Sequence, residues 1–340
     1  MNSSSPPVVS VCIAHFNGIE LIDACLASVR RQDCDFEVEI IVHDDASTDG
    51  SAVHIRTKYP DVCLIESAEN VGFCIANNRM AAAASGEFML LLNNDAELLP
   101  DALRLLHREA RGLQRPAILS LPQFDLDTDA LIDRGCLLDP FFNPVPNLDA
   151  ARADVAMVIG ACLWIPKSLW DELGGFPDWF GSIGEDLHLC CQARLAGYPV
   201  RVLPVSGFRH RYGASFGGGK VRDEGLITTR KRRAFSERNK TRAMIMCQPA
   251  PLLAVQFPVH IVVILIEGVL LSAFKRDFTL WRDIYASLPR ELWRDYARLR
   301  SARASVQSRR RIGLRAWLRA FSWVPWKLRM LIRYGLPVVK

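Results

Sequence analysis

From its amino end, the chain alternates short apolar runs with stretches whose apolar residues recur every three to four positions. Residues 8–14, 38–42, 62–65 and 88–92 are nearly unbroken apolar runs, and each predicts a buried strand. The stretches between them read as helices. Leu21, Ile22, Cys25, Leu26 and Val29 sit at helical spacing, and residues 51–59 suit a helix that Pro60 ends. Residues 73–84 are rich in alanine and closed by Ser85-Gly86. Residues 100–113 open on a helix-compatible proline and keep Leu103, Leu106 and Ala110 on one face. Strands alternating with helices of this length predict βαβ units and a mostly parallel sheet.

The pattern loosens over 114–160, where 125–139 and 140–146 read as irregular connections around one or two short strands. A strand over 155–165 follows, then a helix over 166–173 ended by Gly174-Gly175. Next come a helix over 185–195, with Gly197 past its end, and a strand from Pro199 to Val205 that His210 closes. Residues 213–225 hold five glycines and predict a mobile loop. No internal repeat is visible.

Residues 249–274 are long and apolar enough to suggest a membrane span, for which about 20 residues suffice. Gln256, His260 and Glu267 interrupt the run, and at helical spacing they fall within about 40° of one another. A carboxylate facing lipid at mid-bilayer costs at least ~2.5 kcal/mol. A single crossing would also put the basic tail outside, against the positive-inside rule. The stripe therefore predicts a helix packed on the protein, re-entrant or lying in the membrane interface. Residues 312–339 read the same way. Arg311, Arg315 and Arg319 repeat every four residues, and Trp317, Phe321, Trp323 and Trp326 offer rings suited to lipid headgroups.

Charge sharpens this division. The 340 residues are 50% hydrophobic and 23% charged, which excludes disorder, collagen or a coiled coil as the main state. The net charge of +5 hides an asymmetry. Residues 1–208 carry 14 Lys and Arg against 29 Asp and Glu, and residues 275–340 carry 17 against 4. Between them, residues 209–242 carry 11 against 3. A uniformly basic nucleic-acid binder is not built this way. An acidic globular part with a basic tail points to an anionic surface. The 10 cysteines include no Cys-x-x-Cys, and several, such as Cys12, Cys63 and Cys162, lie in apolar runs. They read as reduced and buried in a cytosolic protein. Residues 1–7 lack the basic and apolar regions of a secretory signal, so the chemistry is expected in the cytosol.

Four constellations fall where predicted strands or helices begin or end, which is where ligands meet open parallel sheets. They are 14–18 (AHFNG), 44–50 (DDASTDG), 93–95 (NND) and 184–186 (GED), with His210 shortly after. Turn and cap chemistry explains Ser47 to Gly50, but it does not explain two adjacent carboxylates at a strand end. A carboxylate after a buried strand can hold a divalent cation and, through it, phosphate oxygens. A carboxylate at a helix start is favoured by the dipole and can serve as a general base. No Gly-x-Gly-x-x-Gly follows the first strand, and a P-loop is absent.

Together and in order, seven stretches resemble the family 2 glycosyltransferases of GT-A fold, in particular bacterial rhamnosyltransferase-like enzymes. They are 9–18 (VSVCIAHFNG), 42–51 (VHDDASTDGS), 69–78 (ENVGFCIANN), 85–101 (SGEFMLLLNNDAELLPD), 160–176 (GACLWIPKSLWDELGGF), 184–198 (GEDLHLCCQARLAGY) and 210–215 (HRYGAS). The resemblance implies an α/β, Rossmann-like GT-A domain over 1–225 and a basic, apolar, helical membrane-associating region over 226–340. It also implies residue roles. Ala14, Phe16, Asn17 and Asn94 would bind nucleotide, and Asp44 would accept a hydrogen bond from the pyrimidine ring. Asp95 and His210 would hold Mg²⁺ or Mn²⁺, with Asn93 where the family carries the first Asp of its metal motif. Asp186 would be the general base, with Glu185 and His188 on the acceptor side.

The implied reaction is inverting transfer from a nucleoside-diphosphate sugar, with dTDP-rhamnose one candidate. The implied acceptor is a hydroxyl of a lipid-linked saccharide at the cytoplasmic face of the inner membrane. The protein would be peripheral or monotopic there, with no nucleic-acid partner. Two alternatives stand beside it. A nucleotidyltransferase making sugar nucleotides would need a Gly-rich basic loop that is missing here. A non-catalytic membrane scaffold is favoured only by Asn93.

Overall fold

A computed structural model describes residues 7–211, 220–222 and 225–340. Most of the glycine-rich stretch at 213–225 lies outside the described residues. The chain divides into two units. The sheet unit comprises residues 1–136, 146–193 and 198–211; the helical unit comprises 137–145, 194–197 and 212–340.

The sheet unit runs β1 (Val9–His15), α1 (Ile19–Arg30), β2 (Val38–Asp44), α2 (Ser51–Lys58), β3 (Cys63–Glu66), α3 (Phe73–Ala83), β4 (Phe88–Asn93), β5 (Ala96–Leu98) and α4 (Ala102–Gly112). Five short strands follow where one or two were expected: β6 (Ile118–Ser120), β7 (Gln123–Asp125) and β8 (Leu131–Asp133), then β9 (Cys136–Leu138) and β10 (Pro144–Pro146), most of whose residues belong to the helical unit. Then come β11 (Cys162–Pro166), α5 (Lys167–Leu173), α6 (Glu185–Leu195), β12 (Val200–Val202) and β13 (Phe208–His210).

The main sheet has the order β12-β6-β11-β4-β1-β2-β3 and is parallel except for β11. The apolar runs are continuous because both faces of the sheet are covered. Val9, Val11, Ile13, Leu90 and Leu92 share one core with α1 and α4 residues. Cys12, Ile41 and Leu91 point the other way and are equally buried, where α3 packs on β1 and β2. A second sheet, β5-β13-β7-β8, carries His210.

Three expectations need correction. The strand expected over 155–165 is regular only over Cys162–Pro166. The strand begun at Pro199 does not reach His210: β12 and β13 are separate and lie in different sheets, with Pro204 and the left-handed Ser206 between them. Cys63 is exposed because β3 is the edge strand, so alternation there leaves one face open. All ten cysteines are free, and eight are buried.

The helical unit contains β14 (Lys220–Arg222), β15 (Gly225–Thr228), α7 (Arg230–Cys247) and α8 (Ala250–Lys275). It continues with α9 (Phe278–Leu280), α10 (Leu288–Arg294), α11 (Tyr296–Ser308), α12 (Leu314–Leu318), α13 (Trp326–Tyr334) and β16 (Val338–Val339). The polar stripe of α8 is met inside this unit. His260 Nε2 lies 2.8 Å from Thr241 Oγ1, Gln256 pairs with Gln248, and Glu267 pairs with Arg233 and Lys327. A methyl group on Gly268 would meet the buried ring of Tyr285, so this helix face has no room to spare. α8 also exposes Val255, Val259, Val262, Ile266, Val269, Leu270 and Phe274.

The carbonyls at the end of α7 would be left without partners by the helix itself. Side chains of α11 supply the donors: Arg303 reaches Gln248 O at 2.7 Å, and Gln307 reaches Met246 O at 3.0 Å. Trp317 and Phe321, expected among the headgroup rings, are buried instead. Trp317 donates to Gln248 Oε1 at 2.8 Å, and Phe321 packs on Phe142. Trp323 is exposed as expected. Within the basic stretch 209–242, Arg230 pairs with Asp277 and Arg233 with Glu267, so both charges are already answered.

Candidate active site

The first two constellations form one ledge at the carboxyl ends of β1 and β2. Asn17 adopts a left-handed backbone (φ 46°) and accepts from Thr48 N at 2.8 Å. Its own N–H donates to Ser47 Oγ at 2.9 Å, and Ile19 N donates to Asp49 at 3.0 Å. The Asn17 side chain is therefore occupied in holding the 44–49 turn. Phe16 stands half exposed beside it, at 50%, and Ala14 lies at the end of β1.

The adjacent carboxylates have different tasks. Asp45 accepts from Val71 N at 2.8 Å and Gly72 N at 2.9 Å, tying the ledge to the start of α3. Asp44 accepts from Ser47 N at 3.0 Å through one oxygen, and its other oxygen, Oδ2, is buried without a hydrogen bond. A buried acceptor left open is costly unless a ligand completes it.

Asn94 lies on this ledge too. Its Nδ2 is 3.0 Å from His15 Nδ1, and a Cβ on Gly18 would come within 2.6 Å of it, so a larger residue at 18 would displace the Asn94 amide. Burial pushes the His15 imidazole below its usual range. Arg79, which sequence reasoning did not single out, reaches Ser67 Oγ at 3.1 Å and lies 3.4 Å from His43 Nε2.

Asp95 and His210 are brought together by the second sheet. β5 pairs antiparallel with β13, setting Ala96 opposite His210, and Arg211 N donates to Asp95 O at 3.0 Å. His210 Nε2 then stands 3.1 Å from Asp95 Oδ1, with Asn93 Nδ2 at 3.3 Å. Both side chains are almost fully buried, and Asp95 Oδ1 makes no hydrogen bond of good geometry. Behind the imidazole, Gln123 Nε2 lies 3.0 Å from Nδ1. Asp133, opposite Gln123 on β8, has its carboxyl pushed up to about 7 by burial. Neither Gln123 nor Asp133 carried a sequence signal, because the strands holding them are three residues long.

A hard carboxylate oxygen and an imidazole nitrogen facing each other suit a Mg²⁺ or Mn²⁺ ion, so these residues fit such a metal. Among the described residues, no group of three or more His, Cys, Asp or Glu is placed to hold one. Protein ligands would thus be few, leaving positions for phosphate oxygens and water, as is common for Mg²⁺.

Asp186 sits in the first turn of α6. It accepts from Gly160 N at 3.1 Å and from Leu187 N at 2.7 Å. The next residue, Ala161, accepts from Asn93 N at 3.1 Å, so the start of β11 links Asp186 to the end of β4. Glu185 and His188 are buried. The ring of His188 packs on Phe180 and lies 3.2 Å from Gln192 Nε2, and burial pushes its imidazole down to about 3. In this conformation both side chains are covered by protein.

Comparisons with known proteins bear on the family and the fold. A family model described as "Glycosyl transferase family 2" matches residues 10–130, and one described as "Glycosyl transferase family group 2" matches residues 88–336. The chain is 24% identical over 241 residues to an N-acetylglucosaminyl-diphospho-decaprenol L-rhamnosyltransferase of Mycobacterium tuberculosis, covering 62% of this chain and 77% of that protein. It is 32% identical over 108 residues to a GalNAc(5)-diNAcBac-PP-undecaprenol beta-1,3-glucosyltransferase of Campylobacter jejuni, covering 31% of this chain and 35% of that one. Another similar relative, described only as an uncharacterized protein of Mycobacterium tuberculosis, is matched over 32% of its length.

Among solved structures, GalNAc-T7 with UDP, GalNAc and Mn²⁺ superposes with a TM-score of 0.56 at 17% identity, over 72% of this chain and 48% of that one. S. aureus TarS 1-349 in complex with UDP gives 0.50 at 16% identity, over 83% and 91%. These likenesses bear on the fold, which is GT-A. With the strand-end ledge, the facing Asp95 and His210, and a family match over most of its length, this chain belongs to the family 2 glycosyltransferases and is a transferase.

Proposed function

We propose that the protein is an inverting glycosyltransferase that moves a sugar from a nucleoside-diphosphate donor to a hydroxyl of a lipid-linked saccharide. The observation that carries this reading is the set of open valences on the sheet unit. Asp44 Oδ2 and Asp95 Oδ1 are buried, lack hydrogen bonds, and lie at the carboxyl ends of β2 and β4, the two strands that flank β1. The Asp44 oxygen can accept from a pyrimidine ring N–H. Asp95 and His210 would hold a divalent ion, which when bound supplies positive charge to the leaving diphosphate.

Asp186 is fixed by two backbone N–H donors, which aim it. It takes the proton from the acceptor hydroxyl as that oxygen attacks the anomeric carbon. A single base, without a second carboxylate as nucleophile, makes the displacement in-line with inversion. The M. tuberculosis and C. jejuni relatives are named for polyprenyl-diphosphate-linked substrates, which supports an acceptor of this class. dTDP-rhamnose is the first donor to test.

The helical unit supports attachment to the cytoplasmic face of an anionic membrane. α8 is long and apolar enough to cross a bilayer by length and composition, yet its polar stripe is answered within the protein. Lying in the interface with its valine-rich face in lipid satisfies both features. Release of nucleoside diphosphate from a panel of sugar nucleotides, with and without EDTA, tests the activity. No turnover, together with no donor-dependent thermal shift, overturns it and favours a membrane scaffold; formation of a sugar nucleotide from sugar phosphate favours a nucleotidyltransferase.

A further inference from the structure

His210 is held from three sides. β13 is hydrogen-bonded to β5 on one flank and to β7 on the other, so its backbone cannot follow a change at the site. Its Nε2 faces Asp95, and its Nδ1 faces the amide of Gln123 at 3.0 Å. Gln123 is 1% exposed, and its Oε1 is buried with no hydrogen-bond partner.

In a neutral imidazole one nitrogen carries the proton and the other offers a lone pair. With Gln123 Nε2 donating to Nδ1, the proton sits on Nε2 and points toward the Asp95 carboxylate. That arrangement leaves Asp95 Oδ1 without a hydrogen bond of good geometry and withholds the lone pair a cation needs. Rotating the Gln123 amide by half a turn exchanges its oxygen and nitrogen at almost no cost in shape. The open Oε1 then accepts from Nδ1–H, and the Nε2 lone pair turns toward Asp95.

We propose that Gln123 is a positioning residue for the cation site, its buried amide turning over to select the His210 tautomer that binds divalent metal. This rests on the metal reading above and adds a residue that touches neither cation nor substrate. A partner that fixes the tautomer of a ligating histidine changes metal affinity by about 10–100-fold when removed.

The test is Mn²⁺ titration of the full chain, read by the electron paramagnetic resonance of free Mn²⁺, with thermal melts in EDTA to verify folding. Gln123→Met, which keeps the shape and loses both polar atoms, should weaken binding by about 10–100-fold. Gln123→Glu, whose carboxylate can only accept from Nδ1–H, should bind as tightly as the natural chain or more tightly. That rescue is not expected of a residue that merely fills space. Binding by Gln123→Met within about two-fold of the natural chain, while His210→Ala weakens it, overturns the inference alone. Absence of Mn²⁺ binding by the natural chain, or no effect of His210→Ala, overturns the metal reading and the inference with it. If Gln123→Met fails to fold, Gln123→Glu decides: a loss of about ten-fold or more overturns the proposal.

Discussion

The two units bury charge in opposite ways. In the helical unit three carboxylates are answered by cations, while the buried Asp139 is answered by backbone and amide N–H groups. Glu237 meets Lys240 and Lys327, Glu267 meets Arg233 and Lys327, and Asp295 meets Arg242. The cations hold the Glu237 carboxyl well below its usual range, while burial lowers Lys240 to about 8. In the sheet unit, among the described residues, no Lys or Arg pairs with Asp44 or Asp95, and each keeps one oxygen without a hydrogen bond. Desolvation makes an unanswered charge expensive, so it persists where something outside the chain completes it. Compensated charge marks a scaffold here, and uncompensated charge marks a site.

The largest expected effect is on catalysis. Asp186→Asn should lower turnover by about 10²–10⁴-fold while donor binding, followed by calorimetry, stays near that of the natural chain. Near-normal transfer by this variant would break the assignment. Next is stability in the helical unit. Glu237→Gln leaves two lysines facing Glu267 alone and should cost about 3–5 kcal/mol in urea unfolding. The same change in the sheet unit, Asp95→Asn, should leave stability in EDTA unchanged or raised, because no cation loses its partner. Equal losses in the two units would break the comparison. A smaller effect belongs to the exposed face of α8: Val262→Asp with Val269→Asp should abolish sedimentation with anionic liposomes and leave the melting temperature unchanged, since both side chains are about half exposed. Retained sedimentation would move the membrane contact elsewhere.

The central strands and the constellations at their ends were legible because their signal is local. Unbroken apolar runs mark strands covered on both faces, and the residues that follow them fall at one edge. The polar stripe of α8 was legible for the same reason, since one helix carries all three residues. What the sequence hid is long-range. β5, β7 and β8 are three residues each, too short for a period to show, yet they seat His210 against Asp95 and set Gln123 behind it. Trp317 and Phe321 looked like interfacial rings because an amphipathic aromatic has the same local pattern whether it faces lipid or Gln248. The two tasks of Asp44 and Asp45 could not be separated either, since only the placement of Val71 and Gly72 shows which carboxylate is already used.

The smallest effect concerns pH, and it distinguishes burial from titration at the α6 terminus. Burial against Phe180 pushes His188 down to about 3, against about 6.5 in an unfolded chain. Above pH ~6.5 the residue is neutral in both states and adds no pH dependence. As pH falls below that value, the unfolded chain takes a proton that the folded one refuses. Stability then drops by up to about 1.4 kcal/mol per pH unit until the folded value is reached. Urea midpoints at pH 7, 6 and 5 should therefore fall for the natural chain. The decline should be shallower for His188→Gln, which keeps a partner for Gln192 without a titrating ring. Identical slopes would mean that His188 reaches solvent and titrates in the folded protein, which would open it to an acceptor after all.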